Sequence, residues 1–433
     1  MKNIQIHPLK NPISAAITVP GSISYTIRAL ALAAMTRGSV TIENPLKSDD
    51  TYTMVTILQI LGITVEERND TFIVHGDISN VEDKAYELNV QISGRTARTI
   101  VAMLCIVPGV KTVVCDEAFA KRPIGDLVEG LRQLGANIVY VKQDGYLPIK
   151  ISSSSLREGK VTIKGNISSQ YISALMMIAP KVGEITIEVI GEQASKPFID
   201  VTIDIMETFG VQVSNENYQR YTIQSGQTYK MDTFLVASDA TAASYFWALA
   251  AITKSTITVL HMNPLSQQGD IRFVDILEEM GCVVEKNTEE QWISVTGTNI
   301  LNGITVDMND IPDVVPTLAV VAAFAKGITH ITGLEHLKVK ESDRIEAPKN
   351  ELTKMGISVE TTDASITITG EQPHGAIIET HGDHRIAMAF AIAGAKIDDI
   401  KIMNPDVVSK SFPDFWKKLE EIGITIQYAG SSF

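Results

Sequence analysis

Six glycines, Gly62, Gly135, Gly210, Gly281, Gly356 and Gly423, each close an amphipathic run and open an apolar one. The stretch Leu277-Glu278-Glu279-Met280-Gly281-Cys282-Val283-Val284 shows the form. A glycine there suits the left-handed residue that ends a helix, and the β-branched residues beyond it favour a strand. The glycines lie 67 to 75 residues apart. That period is too long for a solenoid of helix pairs and fits six copies of a compact unit containing βαβ. The 433 residues are enough for two domains, and six copies divide evenly between two.

Each copy carries a second helical segment upstream of the first, rich in small residues and apolar on all sides. These segments run over 24–34, 96–107, 169–179, 240–252, 314–325 and 385–393, and their composition predicts burial. Each begins at a polar turn: Gly21-Ser22, Ser93-Gly94, Ser168-Ser169, Ser238-Asp239, Pro312-Asp313 and Gly382-Asp383. Ser and Asp are natural caps for a helix start, where free N–H groups attract anions. One such turn is an ordinary cap; six at matching positions suggest a surface built for anions. The glycine-ended helices are preceded by Ser48-Asp49-Asp50, Lys121-Arg122-Pro123, Ser195-Lys196-Pro197, Gln268-Gly269-Asp270-Ile271-Arg272, Lys340-Glu341-Ser342-Asp343-Arg344 and Ser409-Lys410-Ser411-Phe412-Pro413. Five of these six carry Lys or Arg where the helix dipole favours an acid. Short β-branched runs at 71–74, 160–163, 185–189, 256–259, 304–306 and 365–369 predict strands.

Composition narrows the function. The formal net charge is −14, which argues against general nucleic-acid binding, so clustered cations need a specific anion to explain them. The three cysteines, Cys105, Cys115 and Cys282, show no metal-ligand spacing and read as buried thiols of a reducing compartment. Residues 1–10 lack the apolar core of a signal peptide, and no apolar run reaches membrane-spanning length. A cytoplasmic protein with no membrane partner is expected.

The ordered motifs Lys338-Val339-Lys340-Glu341-Ser342-Asp343-Arg344 and Asp383-His384-Arg385 carry a resemblance. It extends through Arg122-Pro123-Ile124-Gly125, Ser168-Ser169-Gln170, Ser195-Lys196-Pro197, Gln268 to Arg272, Asn309 to Asp313 and Lys410-Ser411-Phe412-Pro413-Asp414. Over essentially its full length the chain resembles the 5-enolpyruvylshikimate-3-phosphate synthase (3-phosphoshikimate 1-carboxyvinyltransferase) family. The resemblance implies the α/β enolpyruvyl transferase fold: two similar inside-out domains, each of three βαβαββ-type repeats. Residues 21–238 would form the first domain, and 1–20 with 239–433 the second, with the active site in a cleft. It implies transfer of the enolpyruvyl group of phosphoenolpyruvate to the 5-hydroxyl of shikimate 3-phosphate, releasing phosphate for aromatic amino acid biosynthesis. No cofactor or metal is implied, and a monomer is expected.

By the same resemblance Asp313 takes the hydroxyl proton, while Glu341, with Lys340 beside it, protonates the methylene carbon. Ser24, Arg28, Ser168, Ser169, Gln170 and Ser195 would hold shikimate 3-phosphate. Arg344, Arg385 and Lys410 would bind phosphoenolpyruvate, and His384 is either a ligand contact or a helix-cap histidine. One carboxylate must be ionised as base while another is protonated as acid, and several cations must neutralise a phosphate and a carboxylate together.

The chain also departs from the family. Ile23 stands where Gly-Ser-Lys-Ser has its lysine, and Ala118 falls on an arginine five places before the Pro of Arg-Pro-Ile-Gly. Phe198 replaces a tyrosine and His336 an asparagine, and the Ser93 to Arg98 segment is one residue shorter. Each charge-assisted contact is worth about 1.5–3 kcal/mol, so two lost cations predict a reshaped phosphoenolpyruvate subsite, with Arg95 or Arg98 as candidates to compensate. Two other readings follow: a paralogue using the same pocket for different chemistry, such as phosphate elimination, and a non-catalytic ligand-binding relic.

Overall fold

A computed structural model describes residues 2–428. Its contacts divide the chain into two compact units, Gly21–Val236 and Met1–Pro20 with Ala237–Phe433. The described residues form six four-stranded sheets, three in each unit, all built alike. In each sheet a parallel pair is followed by two antiparallel pairings. In one repeat Gly159–Lys164 pairs in parallel with Ile185–Ile190, which pairs antiparallel with Arg220–Ile223, which pairs antiparallel with Ser214–Glu216. The helices Ser169–Val182 and Lys196–Thr208 fall between these strands in sequence, so the repeat is βαβαββ.

The six glycines sit where the sequence places them, all with positive φ between 82° and 112°. Each carries the same pair of closing bonds. At Gly281 its N–H donates to the Glu278 carbonyl at 2.9 Å, and the Cys282 N–H donates to the Leu277 carbonyl at 2.9 Å. This is the Schellman closure, which satisfies two orphan carbonyls and turns the chain into the next strand.

The leading parallel strand of the first sheet does not come from the start of its repeat. Thr233–Leu235 returns to pair with Gly38–Glu43, which closes the Gly21–Val236 unit on itself. The other unit uses the N-terminus twice. Ser14–Thr18 pairs in parallel with Thr256–Leu260, and Asn3–His7 lies antiparallel to both Ile400–Met403 and Thr425–Tyr428.

The second helical class is buried as its composition predicts. Every residue of Ile23–Met35, Ala240–Thr253, Val315–Ala323 and His384–Gly394 is buried. The expected start at 314 is one residue early: Pro312–Val314 forms a tighter 3-10 turn, and the α-helix begins at Val315. Pro lacks an N–H, so the opening turn loses nothing by holding Pro312 and Pro316. Cys105 and Cys282 are buried, whereas Cys115 is only half-buried. No helix among the described residues is long and apolar enough to cross a membrane.

Candidate active site

In the unit built from Met1–Pro20 and Ala237–Phe433, the openings of two buried helices meet a side chain from a third. Asp313 lies in the turn before Val315–Ala323, Arg385 in the first turn of His384–Gly394, and Tyr245 in Ala240–Thr253. Arg385 Nη2 donates to Asp313 Oδ2 at 2.6 Å and Nη1 to the Tyr245 hydroxyl at 3.4 Å. Arg344 Nη1 donates to the other Asp313 oxygen at 2.9 Å, so two guanidiniums grip one carboxylate.

Arg344 is 1% exposed and serves three acids. Besides Asp313, its Nη2 reaches Glu341 Oε2 at 2.8 Å, and its Nε reaches Asp383 Oδ2 at 2.8 Å. Burial opposes its charge, but Asp383, Glu341 and Asp313 outweigh burial and hold its pKa above the ordinary range. Lys410 Nζ donates to Glu341 Oε1 at 2.7 Å. Lys410, Glu341, Arg344, Asp313 and Arg385 thus form one continuous chain of alternating charge, which tolerates burial because each charge is hydrogen-bonded.

Lys340 precedes Glu341 and stands near His336, whose pKa is lowered to about 3 by burial and then by Lys340. His384 is buried, with Nδ1 3.7 Å from Asp383 Oδ1. The cap of its helix is Asp383, which accepts from the Arg385 N–H at 2.9 Å, so the cap role offered for His384 belongs to its neighbour. Sequence reasoning passed over two acids here. Asp383 stood in a quoted motif but was read only as a cap. Asp270, from Gln268 to Arg272, is hydrogen-bonded by the Thr241 hydroxyl, and burial followed by Asp313 pushes its carboxyl up to about 7.

In the Gly21–Val236 unit the central group is Arg28, one helical turn after Ser24. Its Nε donates to Thr202 Oγ1 at 2.8 Å, Nη1 to the Ser24 carbonyl at 3.0 Å, and Nη2 to the Phe198 carbonyl at 3.1 Å and Ser173 Oγ at 3.4 Å. All four acceptors are neutral. Burial and the neighbouring Arg95 lower its pKa to about 10. A buried cation held by neutral oxygens beside a second cation is a strong attractor for an anion. Arg28, Arg95, Gln170, Ser173 and Phe198 line a small, partly open hollow, and Gln170 Oε1 is buried without a hydrogen-bond partner among the described residues.

Ser168 caps Ser169–Val182, its hydroxyl accepting from the Gln170 N–H at 3.3 Å, and Ser169 is buried behind it. Ser195 is buried at the start of Lys196–Thr208 with φ 56°, an uncommon conformation for a non-glycine residue. Arg98 turns back on its own helix, donating to the Gly94 carbonyl at 3.0 Å, and its guanidinium carbon stands 5.5 Å from the Phe119 ring centre. Arg122 stands 5.1 Å from the same ring. Arg122 was quoted only within its motif, yet it adds a further cation beside Arg98. The unit holds Arg28, Arg95, Arg98 and Arg122 although Ile23 and Ala118 carry no charge.

Six four-stranded sheets of this topology make the enolpyruvyl transferase fold. The fold is shared with EPSP synthase from Acinetobacter baumannii at a TM-score of 0.84, with 26% identity over 99% of this chain and 100% of that one. It is also shared with the enolpyruvyl transferase NikO from Streptomyces tendae, at 0.80 but only 15% identity over 100% and 99%.

Residues 9–419 match the family model described as EPSP synthase (3-phosphoshikimate 1-carboxyvinyltransferase). The 3-phosphoshikimate 1-carboxyvinyltransferase of Sulfurovum sp. is 39% identical over 428 residues, covering 98% of this chain and 99% of its relative. That of Shewanella sediminis is 40% identical over 425 residues, covering 96% and 99%. The chain belongs to the EPSP synthase family.

Proposed function

We propose that this chain transfers the enolpyruvyl group of phosphoenolpyruvate to the 5-hydroxyl of shikimate 3-phosphate, releasing phosphate. The observation that carries the reading is the unbroken series Lys410–Glu341–Arg344–Asp313–Arg385. An addition–elimination at the enol phosphate of phosphoenolpyruvate needs a base for the hydroxyl proton, an acid for the methylene carbon and cations for the departing phosphate. Asp313 is the base. Its place between two guanidiniums suits an ionised carboxylate. Glu341, with Lys340 beside it in sequence, is the acid: Arg344 and Lys410 hold it here, and it carries its proton once phosphoenolpyruvate draws those cations away, so that protonation of the methylene carbon makes the adjacent carbon electrophilic. Arg344, Arg385 and Lys410 hold phosphoenolpyruvate, exchanging some of their carboxylate contacts for the ligand. Arg28, with Ser24, Ser168, Ser169, Gln170 and Ser195, holds shikimate 3-phosphate, and His384 packs behind the phosphoenolpyruvate cations. The chain acts as a monomer, in the cytoplasm, without a cofactor.

Within this function the phosphoenolpyruvate subsite is altered at Ile23, and Arg95 supplies part of the missing charge. Arg95 lines the hollow beside Arg28 that is given to shikimate 3-phosphate, so its share in phosphoenolpyruvate binding is what the Arg95→Gln variant tests. Arg98 supports the hollow from its ring-stacked position.

The test is a paired phosphate-release assay. Phosphate should appear only when shikimate 3-phosphate and phosphoenolpyruvate are both present, together with an enolpyruvyl ether. Release from shikimate 3-phosphate alone would establish elimination instead. Binding without any turnover would leave a ligand-binding relic. The carboxyvinyltransferase relatives favour transfer over both.

A further inference from the structure

Glu351 lies in the helix Glu346–Lys354, outside the charge series described above, and is 0% exposed. A buried carboxylate needs several partners, and both of its oxygens are occupied. Lys354 Nζ reaches Oε1 at 2.9 Å and Oε2 at 2.7 Å. The Glu379 N–H donates to Oε2 at 3.0 Å, and His381 Nε2 is 2.7 Å from Oε1.

The second pair of contacts comes from the turn between the strand Ile377–Ile378 and the helix His384–Gly394. That turn is tight. His381 and Gly382 have φ of 52° and 68°, and the Asp383 N–H donates to the Thr380 carbonyl at 2.8 Å. Its far end is fixed by Asp383, which accepts from Ser342 Oγ at 3.0 Å and from Arg344. The turn is therefore tied at both ends to one stretch of chain: at 342–344 through Asp383, and at 351 through Glu379 and His381. Arg385 follows directly and takes its backbone position from Asp383.

We infer that Glu351 is a positioning residue: by holding Glu379 and His381 it fixes the turn that aims Arg385 at phosphoenolpyruvate. This rests on the ligand role given to Arg385 above. Glu351 touches no reacting atom, so its loss should alter phosphoenolpyruvate recognition while leaving shikimate 3-phosphate recognition alone.

Two variants and two readouts test it. Glu351→Gln keeps the side-chain volume and removes the charge. His381→Ala changes an exposed residue, so it should fold even if the first does not. In both, the KM for phosphoenolpyruvate should rise, roughly tenfold and threefold respectively, with the KM for shikimate 3-phosphate within twofold of wild type. His381→Gln, which can still donate to Glu351, should restore the KM to within twofold. Amide hydrogen exchange at Glu379 and Asp383 should quicken at least tenfold in Glu351→Gln. Unchanged phosphoenolpyruvate KM in His381→Ala together with unchanged exchange in Glu351→Gln would overturn the inference. The exchange readout needs no turnover, so failure of the enolpyruvyl transfer reading would show separately, as wild-type protein that makes no product.

Discussion

Arg344 and Asp383 meet through two hydrogen bonds, Nε to Oδ2 at 2.8 Å and Nη2 to Oδ1 at 3.2 Å, with both side chains sealed from solvent. Burial alone would raise the Asp383 pKa, but Arg344 outweighs it and holds the carboxyl below its usual range. Asp383 also caps the helix that carries Arg385. Asp383→Ala should therefore cost about 3–5 kcal/mol of stability, since breaking one side of a buried pair leaves the other charge uncompensated. Asp383→Asn, which keeps an acceptor for the cap, should cost less. Urea denaturation at pH 7 checks both, and near-wild-type stability of the alanine variant would contradict the account.

The Arg28 guanidinium spends its donors on Thr202, Ser24, Phe198 and Ser173, which fixes its plane before any ligand arrives. A lysine carries the same charge without the fork. Arg28→Lys should raise the KM for shikimate 3-phosphate by roughly tenfold to a hundredfold, the loss of one or two charge-assisted contacts. The KM for phosphoenolpyruvate should move much less. Equal effects on both substrates in steady-state kinetics would place Arg28 elsewhere in the reaction.

His336 makes a prediction in pH. Burial, helped by Lys340, lowers its pKa from an ordinary 6.5 to about 3, and its Nε2 is buried without a hydrogen-bond partner among the described residues. Between pH 6.5 and 3 the unfolded chain takes up a proton that the folded one refuses, so stability falls as pH falls through that window. Above pH 6.5 the residue contributes no slope. At pH 5, His336→Asn should recover about 1–2 kcal/mol relative to wild type, with a smaller difference at pH 8. Denaturation midpoints at the two pH values decide it; equal differences at both would show that the histidine does not titrate in this way.

Much of this architecture was legible because it repeats. The glycine stops are local, being set by the backbone each helix end requires, and all six have the expected left-handed φ. The buried helices could be read from composition for the same reason. The return of Thr233–Leu235 to Gly38–Glu43 was not visible as a pairing, because registry between distant strands leaves no mark on either one. At the site, residues with distinctive charge such as Arg344 and Lys410 announced themselves through their motifs. Asp383 did not, because a cap and a buried ion-pair partner look the same in sequence. Asp270 and Glu351 have their roles only through neighbours 29 to 43 residues away or beside them on a helix, such as Thr241, Asp313, His381 and Lys354. Against the losses at Ile23 and Ala118 the sequence offered Arg95 and Arg98, but not Arg122 on the Phe119 ring.

Ile23 opens the buried helix Ile23–Met35 and is 3% exposed. A lysine there would sit at the positive end of the helix dipole, in a unit that already holds Arg28 and Arg95. Without ligand, Ile23→Lys should lower stability by about 1–3 kcal/mol through desolvation and like-charge repulsion. An anion would reverse that balance, because a bound phosphate or carboxylate compensates the added charge, and tighter binding to the folded state stabilises it in proportion to RT ln(1 + [L]/Kd). The variant should therefore show a lower melting temperature than wild type in buffer, and a larger upward shift when shikimate 3-phosphate and phosphoenolpyruvate are added together. Its KM for phosphoenolpyruvate should fall. Arg95→Gln should move that KM the opposite way, and the double variant should lie between the singles. If Ile23→Lys gained no extra ligand-induced shift, position 23 would lie outside the phosphoenolpyruvate subsite, and its isoleucine would be a packing residue of the helix.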